Sequence, residues 1–251
     1  MRIAIANQKG GVAKTTTTYT LAAAYAEKGK KVLVVDLDPQ ASLTYSAGVD
    51  PDTLERSLHD VMIGKATIDS VIISTESFDL VPSCIDLAGA EVHLLTRTGR
   101  EHALARALRE VSDNYDLVLI DCPPSLGILT INGLTAAQHV VIPLQCETLS
   151  HRGVGQLLDT IEDVRGFTNP DLRVLGIVAT MFDGRTKHSR GVLEDVQTQY
   201  NLTAFEPPIP KSIRFAEAPG HGTTILGYAP KSRGAEAYRS VANAIWKAAH
   251  A

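Results

Sequence analysis

Near the start of the chain an apolar run, Arg2 to Ala6, gives way to Asn7-Gln8-Lys9-Gly10-Gly11-Val12-Ala13-Lys14-Thr15-Thr16, then to a helix-like stretch from about Lys14 to Glu27 that ends at Gly29. Paired glycines supply the backbone freedom that a strand needs to turn straight into a helix. The next apolar run, Lys31 to Val35, is of the kind buried on both faces of a parallel sheet, and it ends in two acids, Asp36 and Asp38. Strand, turn, helix and second strand make a βαβ unit, because parallel neighbours need a crossover between them. This opening confines the chain to the α/β folds.

The pattern continues. Apolar runs recur at Leu117 to Ile120, His139 to Pro143 and Val174 to Thr180, separated by helix-length stretches such as Leu149 to Arg165 and Ser189 to Tyr200. The expectation is a doubly wound, mostly parallel sheet flanked by helices, in one domain spanning residues 1–251. Pro51 to Ser83 is less regular and reads as an inserted or peripheral section. From Glu206 to Arg233, three proline-containing stretches describe an extended excursion before a final helix, Gly234 to Ala249. No internal repeat, low-complexity tract or linker marks a boundary.

With 251 residues, 44 % of them hydrophobic, the chain can bury a sizeable core. Its formal net charge of −4 argues against a protein coated with basic surface, so any nucleic-acid contact must come from a local patch. Cys84, Cys122 and Cys146 form no CxxC pair and suit a reducing cytosol, and the eight histidines lack metal-ligand spacing. Neither a signal sequence nor an apolar run near the ~20 residues of a membrane span is present, which implies a cytoplasmic protein.

The glycine-rich turn resembles a P-loop, in which backbone N–H groups close around phosphates and a lysine and hydroxyl follow. It departs from the common pattern, having Gln8 and Ala13 where glycines are usual. What remains, Lys9-Gly10-Gly11-x-x-Lys14-Thr15, resembles the deviant Walker A form of the ParA and MinD ATPases, and this resemblance covers nearly the whole chain. It implies a P-loop NTPase that takes ATP and Mg²⁺ along Lys9, Gly10, Gly11, Val12, Ala13, Lys14, Thr15 and Thr16. Lys14 can neutralise β- and γ-phosphate charge and Thr15 can ligate the metal, and by resemblance Lys9 reaches across an ATP-dependent homodimer to the partner's phosphates. Ala13 is expected at ordinary φ, with its methyl group crowding the loop slightly.

Val34-Val35-Asp36-Leu37-Asp38-Pro39-Gln40 puts two acids at the carboxyl end of a strand, where ligands sit in open α/β sheets. By resemblance, Asp38 positions or activates the attacking water and Asp36 supports the Mg²⁺ shell; a capping or structural role for Asp36 stays open. Leu117-Val118-Leu119-Ile120-Asp121 has the Walker B form, and its acid can hold Mg²⁺ through water. The following Cys122-Pro123-Pro124-Ser125 looks like the family's switch II, and Leu87-Ala88-Gly89-Ala90-Glu91 resembles another of its segments.

Two basic clusters stand against the acidic background: Arg185, Lys187 and Arg190, and Lys211 with Arg214. Phosphate contact without sequence readout fits their composition, as do exposed solvated loops. In the Soj-like branch that the chain resembles, residues matching Arg185 and Arg214 bind nonspecific double-stranded DNA, so Arg185, Lys211 and Arg214 form the expected DNA contacts, and Pro210 is a candidate for enclosing adenine. The resemblance further implies a nucleoid-associated partition ATPase stimulated by a ParB-type centromere-binding partner. The N-terminal helix-turn-helix of longer plasmid partition proteins is not expected, nor is sequence-specific operator binding. Two alternatives remain: a MinD-like membrane-cycling or protein-positioning ATPase, which needs an amphipathic C-terminal anchor, and a metabolic P-loop enzyme such as an amidoligase.

Overall fold

The computed structural model describes residues 1–147 and 150–251. Its strands are β1 (Arg2–Ile5), β2 (Val32–Asp36), β3 (Ile73–Ser74), β4 (Asp79–Val81), β5 (Leu117–Asp121), β6 (His139–Gln145) and β7 (Arg173–Thr180). Among the described residues they form one sheet in the order β3-β4-β2-β5-β1-β6-β7. Every neighbouring pair is parallel except the β3–β4 hairpin at one edge. The helices are α1 (Lys14–Ala26), α2 (Ser42–Ser46), α3 (Leu58–Met62), α4 (Leu87–Leu95), α5 (Ala103–Arg109), α6 (Ile128–Ala136), α7 (Ser150–Phe167), α8 (Lys187–Tyr200), α9 (Arg214–Glu217), α10 (Ile225–Tyr228) and α11 (Arg233–Ala249). This is the doubly wound, mostly parallel architecture that the strand–helix alternation implies.

Side-chain alternation splits each strand between two cores. On one face Ala4, Leu33, Val35, Val118, Ile120 and Ile142 pack with Leu94, Leu108, Leu134, Leu157 and Val196 of the helices from α4 to α8. On the other, Ile3, Ile5, Val34, Leu119 and Val141 pack against Leu21 and Tyr25 of α1 and Tyr238, Val241 and Ile245 of α11. Burial on both faces explains why these strands read as unbroken apolar runs.

Some boundaries move for physical reasons. Strand β6 runs past the expected stop at Pro143, because that residue's missing N–H lies on the side where β1 has already turned away, and the Pro143 carbonyl accepts from Asn7 Nδ2 at 2.7 Å. The irregular section is partly regular: β4 pairs in parallel with β2, and α3 carries a Ser57–Asp60 capping box. Helix α8 starts at Lys187, two residues earlier than expected, capped by Thr186. The expected start of the preceding helix, Leu149, lies outside the described residues. The proline-rich excursion docks along β7, with Ile209 N–H donating to Ala179 O at 2.8 Å and Phe182 N–H to Ile209 O at 2.9 Å.

Candidate active site

The glycine-rich turn leaves the carboxyl end of β1 and enters α1, whose N-terminus carries no side-chain cap and no acid in its first turn. Its first N–H groups therefore have no side-chain acceptor at the N-cap, and the helix dipole adds partial positive charge there: the conditions for holding an anion. Gly11 has φ 74°. Ala13 corrects the sequence expectation: its φ is 66° and ψ 36°, in the left-handed region. The turn into α1 imposes a conformation that glycine adopts freely and alanine only at a cost.

Gly10, Gly11, Ala13, Lys14, Thr15, Thr16, Asp38, Pro124, Pro210 and Lys211 all line one cleft of about 680 Å³. Val12 does not; it is buried, and its carbonyl accepts from Thr180 Oγ1 at 3.0 Å, fastening the loop to the end of β7. Lys14 is only 7 % exposed, and its Nζ donates to Lys9 O at 3.1 Å. Burial lowers its pKa, while Asp121 and Asp38 oppose that shift.

Behind the loop, Asp36 and Asp121 are register partners on adjacent strands and both are buried. Burial raises both pKa values; the charge of Asp36 adds to the rise at Asp121, and that of Asp38 to the rise at Asp36. Asp121 Oδ2 accepts from Thr15 Oγ1 at 2.7 Å, and its Oδ1 lies 3.0 Å from Thr18 Oγ1. Thr15 and Asp121 thus put two hard oxygen donors side by side, and the buried carboxylates outnumber the one buried lysine. That donor set and that charge excess fit a divalent cation. Asp36 instead spends its oxygens on the chain: Oδ2 accepts from Thr44 N and Oγ1 at 2.9 and 2.7 Å, and Oδ1 from Asp38 N at 3.2 Å. This arrangement favours the structural alternative for Asp36, as the anchor of the loop that carries Asp38. Asp38 faces the cleft, with Ser83 Oγ donating to its carbonyl at 2.8 Å.

Lys9 does not line the cleft. Its backbone N–H donates to Asn7 Oδ1 at 3.0 Å, and its Nζ meets Glu147 Oε2 at 2.6 Å. Beyond the cleft, the Phe182–Pro210 bridge brings the loop bearing Arg185 beside the segment bearing Lys211 and Arg214. Arg185 is 90 % exposed and ion-paired with Asp183.

The sequence reasoning passed over Thr18, Thr44, Thr180 and Asn7. Thr18 had a signal, since it follows Thr15 by three residues on one helix face; Thr44 and Thr180 reach their partners through the tertiary fold.

A doubly wound sheet with an uncapped helix N-terminus, a buried lysine and strand-end acids defines a P-loop nucleotide-binding protein. Residues 1–174 match the family model described as an AAA domain. The sporulation initiation inhibitor protein Soj of Bacillus subtilis is 45 % identical over 245 residues, covering 97 % of each chain. The chromosome-partitioning ATPase Soj of Thermus thermophilus is 46 % identical over 97 % of this chain and 94 % of its own. The chain belongs to this AAA-domain family, as a ParA/Soj-type ATPase. Among solved structures, cobyrinic acid a,c-diamide synthase from Mycobacterium smegmatis with bound ADP and magnesium superposes with a TM-score of 0.89 at 51 % identity, over 100 % of this chain and 95 % of that one.

Proposed function

We propose that this chain is a cytoplasmic, nucleoid-associated DNA-partition ATPase, one domain over residues 1–251, in which bound ATP joins two copies and the joined pair holds nonspecific double-stranded DNA. The observation that carries this is the division of labour between two lysines of one loop. Lys14 is buried and lines the cleft, whereas Lys9 lies outside its lining with its Nζ paired to Glu147. A cation so placed serves a second nucleotide better than its own.

Within one copy, the N–H groups of residues 10–16 hold the phosphates and Lys14 offsets their charge. Thr15 and Asp121 would hold Mg²⁺, which when bound adds positive charge at the phosphate oxygens. Asp38, facing the cleft, orients water for attack, and Asp36 fixes the backbone from which Asp38 projects. Pro210 also lines the cleft and is the candidate for enclosing adenine. Arg185, Lys211 and Arg214 contact phosphates of the duplex, doubled in the dimer, so binding falls with salt. A ParB-type partner accelerates hydrolysis and resets the cycle.

A second reading comes from the solved relative's name: ATP-dependent amidation of a carboxylate. Amide synthesis from glutamine calls for a reactive thiolate. Here Cys122 and Cys146 are buried and pushed to higher pKa by burial, and Cys84 Sγ lies 3.1 Å from Ser57 Oγ. The switch reading is therefore preferred, and glutamine-dependent ADP formation on a corrinoid carboxylate would reverse that order.

The lysines provide the test. Lys14→Ala lowers ATP affinity at least about 100-fold by calorimetry, since it strips a charge-assisted contact from a buried site. Lys9→Ala keeps ATP affinity within about threefold yet stays monomeric in sedimentation with ATP. A Lys9→Ala chain that dimerises normally refutes the role of Lys9 across the interface.

A further inference from the structure

The loop between β7 and α8 presents its arginine already neutralised. Arg185 donates from Nε to Asp183 Oδ1 and from Nη2 to Asp183 Oδ2, both at 2.9 Å, a two-pronged pairing. The Arg185 backbone N–H also donates to Asp183 Oδ1 at 3.1 Å. Thr186, next along, donates to Asp183 O at 3.0 Å and caps α8 at Ser189 N. Acid and arginine are thus set face to face by one short turn rather than by chance approach of two long side chains. Hydrogen bonds from Arg185 hold the Asp183 carboxyl down at about 2, so the acid stays ionised at any working pH. The guanidinium nevertheless stands 90 % exposed, and among the described residues its Nη1 has no partner. Lys211 and Arg214 differ, since among the described residues neither forms an ion pair.

We propose that Asp183 sets the strength of DNA binding, by cancelling the charge of Arg185 and opposing any phosphate that approaches its open edge. The inference rests on the reading of Arg185 as a phosphate contact. A neutral pair releases no net counterion, so Arg185 as it stands adds geometry more than affinity. A phosphate on the free Nη1 edge has the Asp183 carboxylate roughly one guanidinium away, about 6 Å. Repulsion between unit charges at that distance in water weakens binding about threefold per subunit, or about tenfold for a dimer presenting two such loops. Weakness of this kind suits a protein that must leave DNA after each cycle, because a fully exposed arginine cluster would hold the duplex regardless of nucleotide.

The test compares unmodified protein, Asp183→Asn, Arg185→Gln and the double variant, each loaded with ATPγS, on random-sequence duplex over a range of salt. The amide of Asp183→Asn retains an acceptor for the Arg185 backbone N–H while losing the charge; Asp183→Ser, which also offers an acceptor, serves if the first variant melts early. The expected results are binding about tenfold tighter for Asp183→Asn, a salt slope steeper by roughly 2 per dimer, unchanged ATP affinity, and a double variant that binds more weakly than Asp183→Asn because the freed arginine is missing. Asp183→Asn that binds no tighter, while Arg185→Gln binds more weakly, overturns the role of Asp183 and leaves the DNA reading standing. A double variant that binds as tightly as Asp183→Asn also overturns it, since the gain would then owe nothing to the freed charge of Arg185. An Arg185→Gln protein that binds like the unmodified chain removes the premise itself.

Discussion

At Ala13 the chain keeps a methyl group where φ is 66°, and the neighbouring Lys14 is buried at the first position of α1. Left-handed geometry costs an alanine about 1 kcal/mol relative to glycine. Ala13→Gly should therefore raise unfolding stability by about that amount in urea titration; an unchanged or lower midpoint would mean that the methyl group's contacts outweigh its strain. At this scale the sequence exposes contacts that are contiguous and hides those that are not. Gly10, Gly11, Lys14 and Thr15 announce themselves because one short loop must hold them all. The role of Asp36 is ambiguous in the sequence, because the partner that occupies it, Thr44, stands eight residues away across a turn. The φ of Ala13 escapes a sequence reading because residue identity argues one way and the turn into the helix requires the other.

At the scale of elements, α1 is clamped from outside by α11. Tyr25 Oη donates to Ala242 O at 2.9 Å, Thr17 Oγ1 and Tyr238 Oη lie 2.9 Å apart, and Arg239 pairs with Glu27 through Nε at 2.7 Å and Nη2 at 2.8 Å. The clamp matters because α1 holds the phosphate loop at its other end. Arg239 lowers the pKa of Glu27 by hydrogen bonding, with burial opposing. A carboxyl depressed in the folded state contributes its stability in full above the ordinary 4.5 and loses it as pH falls through the folded value. Arg239→Ala should then cost about 0.5–1 kcal/mol at pH 7 for this partly exposed pair, and the difference should shrink below about pH 4. A penalty constant from pH 7 to 3 would assign the effect to packing.

Another element depends on a single glycine. At Gly176 φ is 150°, and an added Cβ would stand 2.4 Å from Thr203 O, where the segment that follows α8 meets β7. Gly176→Ala should destabilise the fold by about 2–4 kcal/mol in urea titration; a loss under 1 kcal/mol would show that the segment following α8 can shift. The central strands were legible because burial on both faces writes an unbroken apolar run. The β3–β4 hairpin was not, since strands of two and three residues at a sheet edge leave too little periodicity to read.

At the scale of the molecule, a chain of net charge −4 gathers basic residues on loops at the end of the sheet where the cleft opens. The sequence showed the two clusters; the pairing of Phe182 with Pro210 that sets them side by side, and the acid that holds Arg185, are products of the fold. Among the described residues no helix is long and apolar enough to cross a membrane. The amphipathic α11, which a membrane-cycling alternative would need as an anchor, has its apolar face committed to the core through Tyr238, Val241 and Ile245. The most direct test of the whole account is salt-dependent binding of the Asp38→Ala protein to random-sequence duplex, with ATP or ADP, and the oligomeric state followed in the same samples. The account predicts a dimer with ATP alone, and DNA binding that appears only with that dimer and weakens steeply with salt. An ATP dimer indifferent to DNA, or DNA binding equal with ATP and ADP, would contradict it.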